Sequence, residues 1–132
     1  MEDAHLEGAH LESAHLERAH LEGAHLNRAH LGAVLDGKYV NGAVMYGANL
    51  NRANLTDAHL EDAYIAHDTN MDKAKLGGAH LGGAHLGGGD LSLTTGLETK
   101  NLQCAFEDKK FPTVFPTGVN VPTDRSSCPA RE

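Results

Sequence analysis

Ten histidines stand in this chain, and nine of them share one setting. His5, His10, His15, His20, His25, His30, His59, His80 and His85 each follow an alanine and precede an aliphatic leucine. Imidazole binds transition metals and titrates near neutral pH. Two such rings on neighbouring strands, about 4.8 Å apart, could clamp a metal. A histidine pair is only half a site, however. The sequence expectation is therefore a solvated ladder with no metal and no cofactor. Its electrical consequence is large: protonating ten histidines moves the formal charge from −7 to −7 + 10 = +3.

Other features with chemical potential lead nowhere catalytic. The stretch Gly77-Gly78-Ala79-His80-Leu81-Gly82-Gly83-Ala84-His85-Leu86-Gly87-Gly88-Gly89 resembles a phosphate-cradling loop only in composition. No Lys-Ser/Thr pair follows it, and no helix opens where such a loop needs one. Cys104 and Cys128 are the only cysteines. Bonded, they would close a loop worth about 3–4 kcal/mol in the chain-entropy model. A cytosolic setting would instead keep them as free thiols. The chain has no CxxC motif, no Ser/His/Asp order and no paired buried carboxylates, and the reading is that it is not an enzyme.

These residues are positioned by a repeat. Ala4-His5-Leu6-Glu7-Gly8 is followed by Ala9-His10-Leu11-Glu12-Ser13 and Ala14-His15-Leu16-Glu17-Arg18. With the leucine as position i, eighteen repeats run from Leu6 to Leu91, and alanine fills i−2 in fifteen of them. On an α-helix, five steps rotate a residue by about 140°, so the leucines would spiral around the axis. On a flat strand, five is odd, so they would alternate faces. Both conflicts vanish if the chain turns a corner in every repeat, with i and i−2 pointing inward and i−1 outward. Stacked turns then bury one Leu/Ala column.

The A-x-L-x-x pattern over residues 4–91 resembles the pentapeptide-repeat family, whose consensus is A-[D/N]-L-x-x. The resemblance implies an all-β solenoid, a right-handed quadrilateral parallel β-helix with four repeats per coil. Eighteen repeats would make about four and a half coils. The expected inward leucines are Leu6, Leu11, Leu16, Leu21, Leu26, Leu31, Leu50, Leu55, Leu60, Leu76, Leu81 and Leu86. Four repeats per coil predicts the outward stacks His5/His25/Val44/Tyr64/His85, His10/His30/Asn49/Asn70/Asp90, His15/Val34/Asn54/Lys75 and His20/Tyr39/His59/His80.

The phase slips twice. Leu31 to Leu35 is one residue short, and Ile65 to Met71 one long. Residues 32–38 are expected to bulge, with Lys38 reaching solvent because an unpaired buried ammonium is costly. Residues 66–70 are expected to loop outward. The repeat region is assigned to 1–93 and a C-terminal segment to 94–132. There, Thr94/Thr95 and the spacing of Leu97, Leu102 and Ala105/Phe106 predict a short amphipathic α-helix, similar to the capping helix of many family members. All four prolines lie beyond it, which predicts an irregular tail over 111–132.

Charge and composition bound the partners. Residues 1–91 carry 13 acidic and 6 basic residues, and 92–132 carry five of each, so the whole net charge of −7 lies on the repeats. Such a surface lacks the clustered Lys and Arg of a nucleic-acid binder. No apolar run approaches membrane-spanning length. The opening Met1-Glu2-Asp3 carries no basic segment, so a cytoplasmic location is expected. A non-catalytic scaffold for an unknown protein partner is the leading functional expectation. The family adds an alternative, a DNA-mimic inhibitor or protector of a type II topoisomerase, compatible with Glu7, Glu12, Glu17, Glu22, Asp36, Asp57, Glu61 and Asp62. Similar proteins are numerous in cyanobacteria. With three residues ahead of the first repeat, self-association through the N-terminal coil is also expected.

Overall fold

The computed structural model describes residues 3–32, the backbone of 34–35 and 38–39, and residues 42–65, 68–105, 113–122 and 128. Fourteen isolated bridges join its backbone among the described residues, and all are parallel. His5 pairs with His25, Val44 with Tyr64 and Lys75 with Thr95, each 20 residues apart. The chain therefore lies over itself every four pentapeptides. Two hydrogen bonds make each rung, as in Leu6 N–H to His25 O and His25 N–H to Ala4 O, both 2.8 Å.

Between rungs, the alanine amide of each repeat donates to the preceding leucine carbonyl, as from Ala9 to Leu6 at 3.0 Å. These are β-turns whose second central residue has positive φ. Gly83 and Gly88 occupy it at φ 73° and 76°. The corner geometry thus accounts for Gly78, Gly83 and Gly88 in the run at 77–89, since glycine enters that region without a steric penalty.

Leucine and alanine fill the interior as the repeat requires. Leu21, Leu26, Leu31, Leu50, Leu55, Leu60, Leu76, Leu81 and Leu86 are at most 1 % exposed, as are the described alanines at i−2 from Ala24 to Ala29 and from Ala43 to Ala84. Leu6, Leu11 and Leu16 depart from the expected core. They are only partly buried and pack against it.

The first phase slip is larger than its one-residue signature. Strands β1 (Val34–Leu35) and β2 (Lys38–Tyr39) pair antiparallel, Val34 with Tyr39 and Leu35 with Lys38. The column resumes when Ala43 N–H donates to Leu31 O at 2.9 Å, the corner bond made elsewhere by the alanine three residues on. Nine residues are therefore extra, and the bridges across the hairpin span 29 residues, as in His15 with Val44. The corner bond from Ala43 to Leu31 therefore bypasses the repeat at Leu35. Without the two repeats counted at Leu35 and Val40, the pentapeptide pattern supplies sixteen. The expectation for the Lys38 side chain lies outside the described residues. The physical reason for the difference is local: Val34-Leu35-Asp36-Gly37-Lys38-Tyr39 carries strong strand formers around a hairpin dipeptide. Gly42 lets the chain re-enter, because a Cβ there would lie 2.5 Å from Asp62 O.

At the second slip, Thr69 and Asn70 stay in the column rather than looping outward as expected. Thr69 is buried, and its hydroxyl donates to Met45 O at 2.8 Å. Asn70 bridges both Asn49 and Asp90. Residues 66–67 lie outside the described set.

The C-terminal segment also differs from expectation. Among residues 94–105 the structure has one 3-10 helix, Thr99–Leu102, in place of the expected α-helix. Thr94 donates its hydroxyl to Leu91 O, and Thr95 continues the ladder over Lys75. Positive φ at Gly96 (78°) and Cys104 (67°) bounds the helical turn on both sides. The tail then rejoins the column: Val114 bridges Asp90, and the Thr113 hydroxyl donates to Leu86 O at 2.6 Å. Two bridges, Lys75 with Thr95 and Asp90 with Val114, thus extend the ladder beyond the last repeat. Cys104 and Cys128 are bonded, at a sequence separation of 24.

Candidate functional site

The nine-residue hairpin redistributes the outward residues among the faces. The observed stacks are His5/His25/Asn54/Lys75/Thr95, His10/His30/His59/His80, His15/Val44/Tyr64/His85 and His20/Asn49/Asn70/Asp90/Val114. The four expected faces were correct below the hairpin and wrong across it, because repeats at Leu35 and Val40 were counted as sides.

The consequence for chemistry is a column of four histidines. His10 stacks on His30 with ring centroids 4.6 Å apart, His30 on His59 at 5.0 Å and His59 on His80 at 4.8 Å, all nearly parallel. His5 stacks on His25 at 4.7 Å on the next face.

Three of these six rings, His5, His10 and His59, have a carboxylate two residues on. His5 Nδ1 lies 3.0 Å from Glu7 Oε1, His10 Nδ1 3.1 Å from Glu12 Oε1 and His59 Nδ1 3.1 Å from Glu61 Oε1. The hydrogen bond from His5 holds the Glu7 carboxyl below its ordinary value, and those from His15 and His20 do the same for Glu17 and Glu22. The sequence reading singled out the histidines and overlooked these glutamates as their partners. The signal was present in the repeated His-Leu-Glu. Outward positions i−1 and i+1 flank the inward leucine, so their side chains meet outside it.

Two aromatic contacts, one stacked and one edge-on, mark another face. Tyr64 stacks on His85 at 4.3 Å, and Tyr46 meets Tyr64 edge-on at 6.0 Å. Burial pushes the His85 pKa down and is the main cause raising that of Tyr46. Tyr46, Tyr64, Val44, His15, Ser13 and Gly42 line a surface depression of about 380 Å³. A second depression, about 370 Å³, lies where Glu61 and His80 face Lys100 and Asn101.

The family model for pentapeptide repeats matches residues 1–34 and 32–62, with eight copies. The chain is a pentapeptide-repeat protein. Proteins of this family fold as right-handed β-helices, and the parallel rungs, at intervals of 20 or 21 residues within the repeats on either side of the hairpin, are the pairing that such a helix needs. A search of curated protein sequences finds no match. Among solved structures, a pentapeptide-repeat protein from the Arabidopsis thaliana thylakoid lumen is similar at 20 % identity, with 89 % of this chain and 68 % of that one covered and a TM-score of 0.29. One from Nostoc is 21 % identical, covering 84 % of both chains at a TM-score of 0.26. HetL, a Nostoc protein involved in regulating heterocyst differentiation, is 22 % identical, covering 89 % of this chain and 60 % of its own at a TM-score of 0.27.

Proposed function

We propose that this pentapeptide-repeat protein is a non-catalytic scaffold that binds a protein partner through the face carrying His15, Val44, Tyr64 and His85. The observation that carries this reading is Tyr46, a large side chain 38 % exposed beside the Tyr64–His85 stack. Aromatic side chains on a rigid surface are favoured anchors for protein partners, because they bury much area while losing little conformational freedom. The backbone rungs hold them in fixed positions, as suits a solenoid. The four-sided form of the column belongs to the same reading.

Affinity capture from the source organism tests it, with the protein and a Tyr46→Ala/Tyr64→Ala variant as baits. A partner retained by the first and lost by the second, by tenfold or more, is expected. Equal capture by both would remove this face from the proposal. A supercoiling assay separates the alternative: inhibition of a type II topoisomerase would move the reading to DNA mimicry. The Cys104–Cys128 bond supports a location where thiols stay oxidised, rather than the cytosol.

Homo-association is a further part of the proposal. Leu6, Leu11 and Leu16 keep partial exposure while Leu26 and Leu31, one turn on from Leu6 and Leu11, have none. A second copy would cover them. Light scattering is expected to give a mass above one chain that falls on dilution. A monomer at all concentrations would show that the partial exposure is tolerated.

A further inference from the structure

Among the described residues, two groups bring two imidazoles and a carboxylate together, with all three ligand atoms within 4.8 Å of one another: His5/Glu7/His25 and His10/Glu12/His30. We propose that these are two equivalent sites for a divalent transition metal, zinc foremost.

The donor set comes first. Two histidines and one carboxylate are a recurrent ligand set of zinc and non-haem iron, and they leave further positions for water or a partner's side chain. Spacing is the second observation. Ligand atoms about 2.0–2.2 Å from one metal stand roughly 2.9–3.5 Å from each other. Glu7 Oε1 lies 3.0 Å from His5 Nδ1, inside that range, and 4.0 Å from His25 Nδ1, half an ångström beyond it. A small side-chain rotation closes the set. In the second group the carboxylate is held more tightly, since the Glu12 side chain is only 4 % exposed and lies 3.1 Å from His10 Nδ1.

Preorganisation is the third. Paired histidines belong to bridged residues, fixed by backbone bonds such as Leu11 N–H to His30 O at 2.7 Å and His30 N–H to Ala9 O at 2.8 Å. Metal binding therefore requires no backbone movement.

The protein also contains its own controls. His15-Leu16-Glu17 and His20-Leu21-Glu22 have the same local sequence, and their histidine–glutamate distances are the same, 3.0 and 3.1 Å. The residue one turn above is Val44 in one case and Asn49 in the other. Val44 offers no ligand. The Asn49 amide donates to Glu22 Oε1 at 2.8 Å and so occupies the carboxylate. A site thus forms only where the fold places a second histidine over the first. That condition depends on the 20-residue turn and not on the pentapeptide.

Calorimetric titration of the untagged protein with zinc chloride tests the proposal. About two zinc ions per chain are expected, in one saturable class. The His25→Asn/His30→Asn variant should lose both, and each single variant should lose one. Asparagine is chosen because the column already carries it at the equivalent positions 49, 54 and 70, so folding is preserved, and circular dichroism verifies this. A His15→Asn/His20→Asn variant should bind like the parent. Cobalt(II) substitution supplies a second readout, with visible absorption bands that change in Glu12→Gln. No saturable binding, or equal losses in the two double variants, would overturn the proposal.

Discussion

Leu55→Asp is expected to leave the chain unfolded at room temperature. Leu55 is fully buried, and the rungs above and below its repeat, His25 to Asn54 and Asn54 to Lys75, place Leu26 and Leu76 on either side of it. A carboxylate there would stand among methyl groups with no partner. Burying an uncompensated charge costs several kcal/mol even after relaxation. Whole domains are stable by about 5–15 kcal/mol, so one such charge consumes most of that margin. Neutral truncation is milder: Leu55→Ala should cost about 2–5 kcal/mol and leave a folded protein with a lower Tm. Circular dichroism with thermal melting separates the two variants. A Leu55→Asp protein that melts with the parent would contradict the interior described for the column.

The second large effect is expected from reduction. The Cys104–Cys128 bond ties the 3-10 turn to the tail that rejoins the column at Val114. Closing a loop of this length in the unfolded chain is worth about 3.5 kcal/mol in the chain-entropy model. Each kcal/mol corresponds to several degrees in a domain of this size, so reducing agent is expected to lower Tm by roughly 10 °C. The covering segment should loosen first, because it is pinned by this link and by few rungs. Thiol titration of the unreduced native protein should find no free cysteine. Two free thiols, or an unchanged Tm on reduction, would show that the segment holds without the bond.

Both effects connect to the proposed sites through rigidity. The histidine and tyrosine stacks exist because the ladder holds outward side chains at the spacing of the rungs. Loss of the Leu/Ala interior would dissolve them together with the column. Loss of the disulfide would spare the sets at His5 and His10, which lie at the other end.

The repeat, the inward leucines from Leu21 to Leu86 and the outward direction of the histidines were legible from the sequence alone. A five-residue period buries its leucines if the chain turns a corner in every repeat, so the pattern determines the corner and the interior, while the family rests on the resemblance of A-x-L-x-x to the family consensus and on the family model. The glutamates beside the histidines were visible in the same letters, although their role required knowing that i−1 and i+1 meet outside the wall. Three matters were decided only by the tertiary structure. The hairpin at Val34–Tyr39 kept the pentapeptide phase closely enough to be counted as two repeats, and only backbone pairing reveals that it leaves the column. The C-terminal segment has apolar spacing that fits a helix, but the open ladder at Lys75 and Asp90 captured Thr95 and Val114 as strands instead. Finally, which residue stands above which is a long-range register. His30 sits under His59 and not under Asn49 because nine residues are excluded from the turn between them, and a local period carries no information about that number.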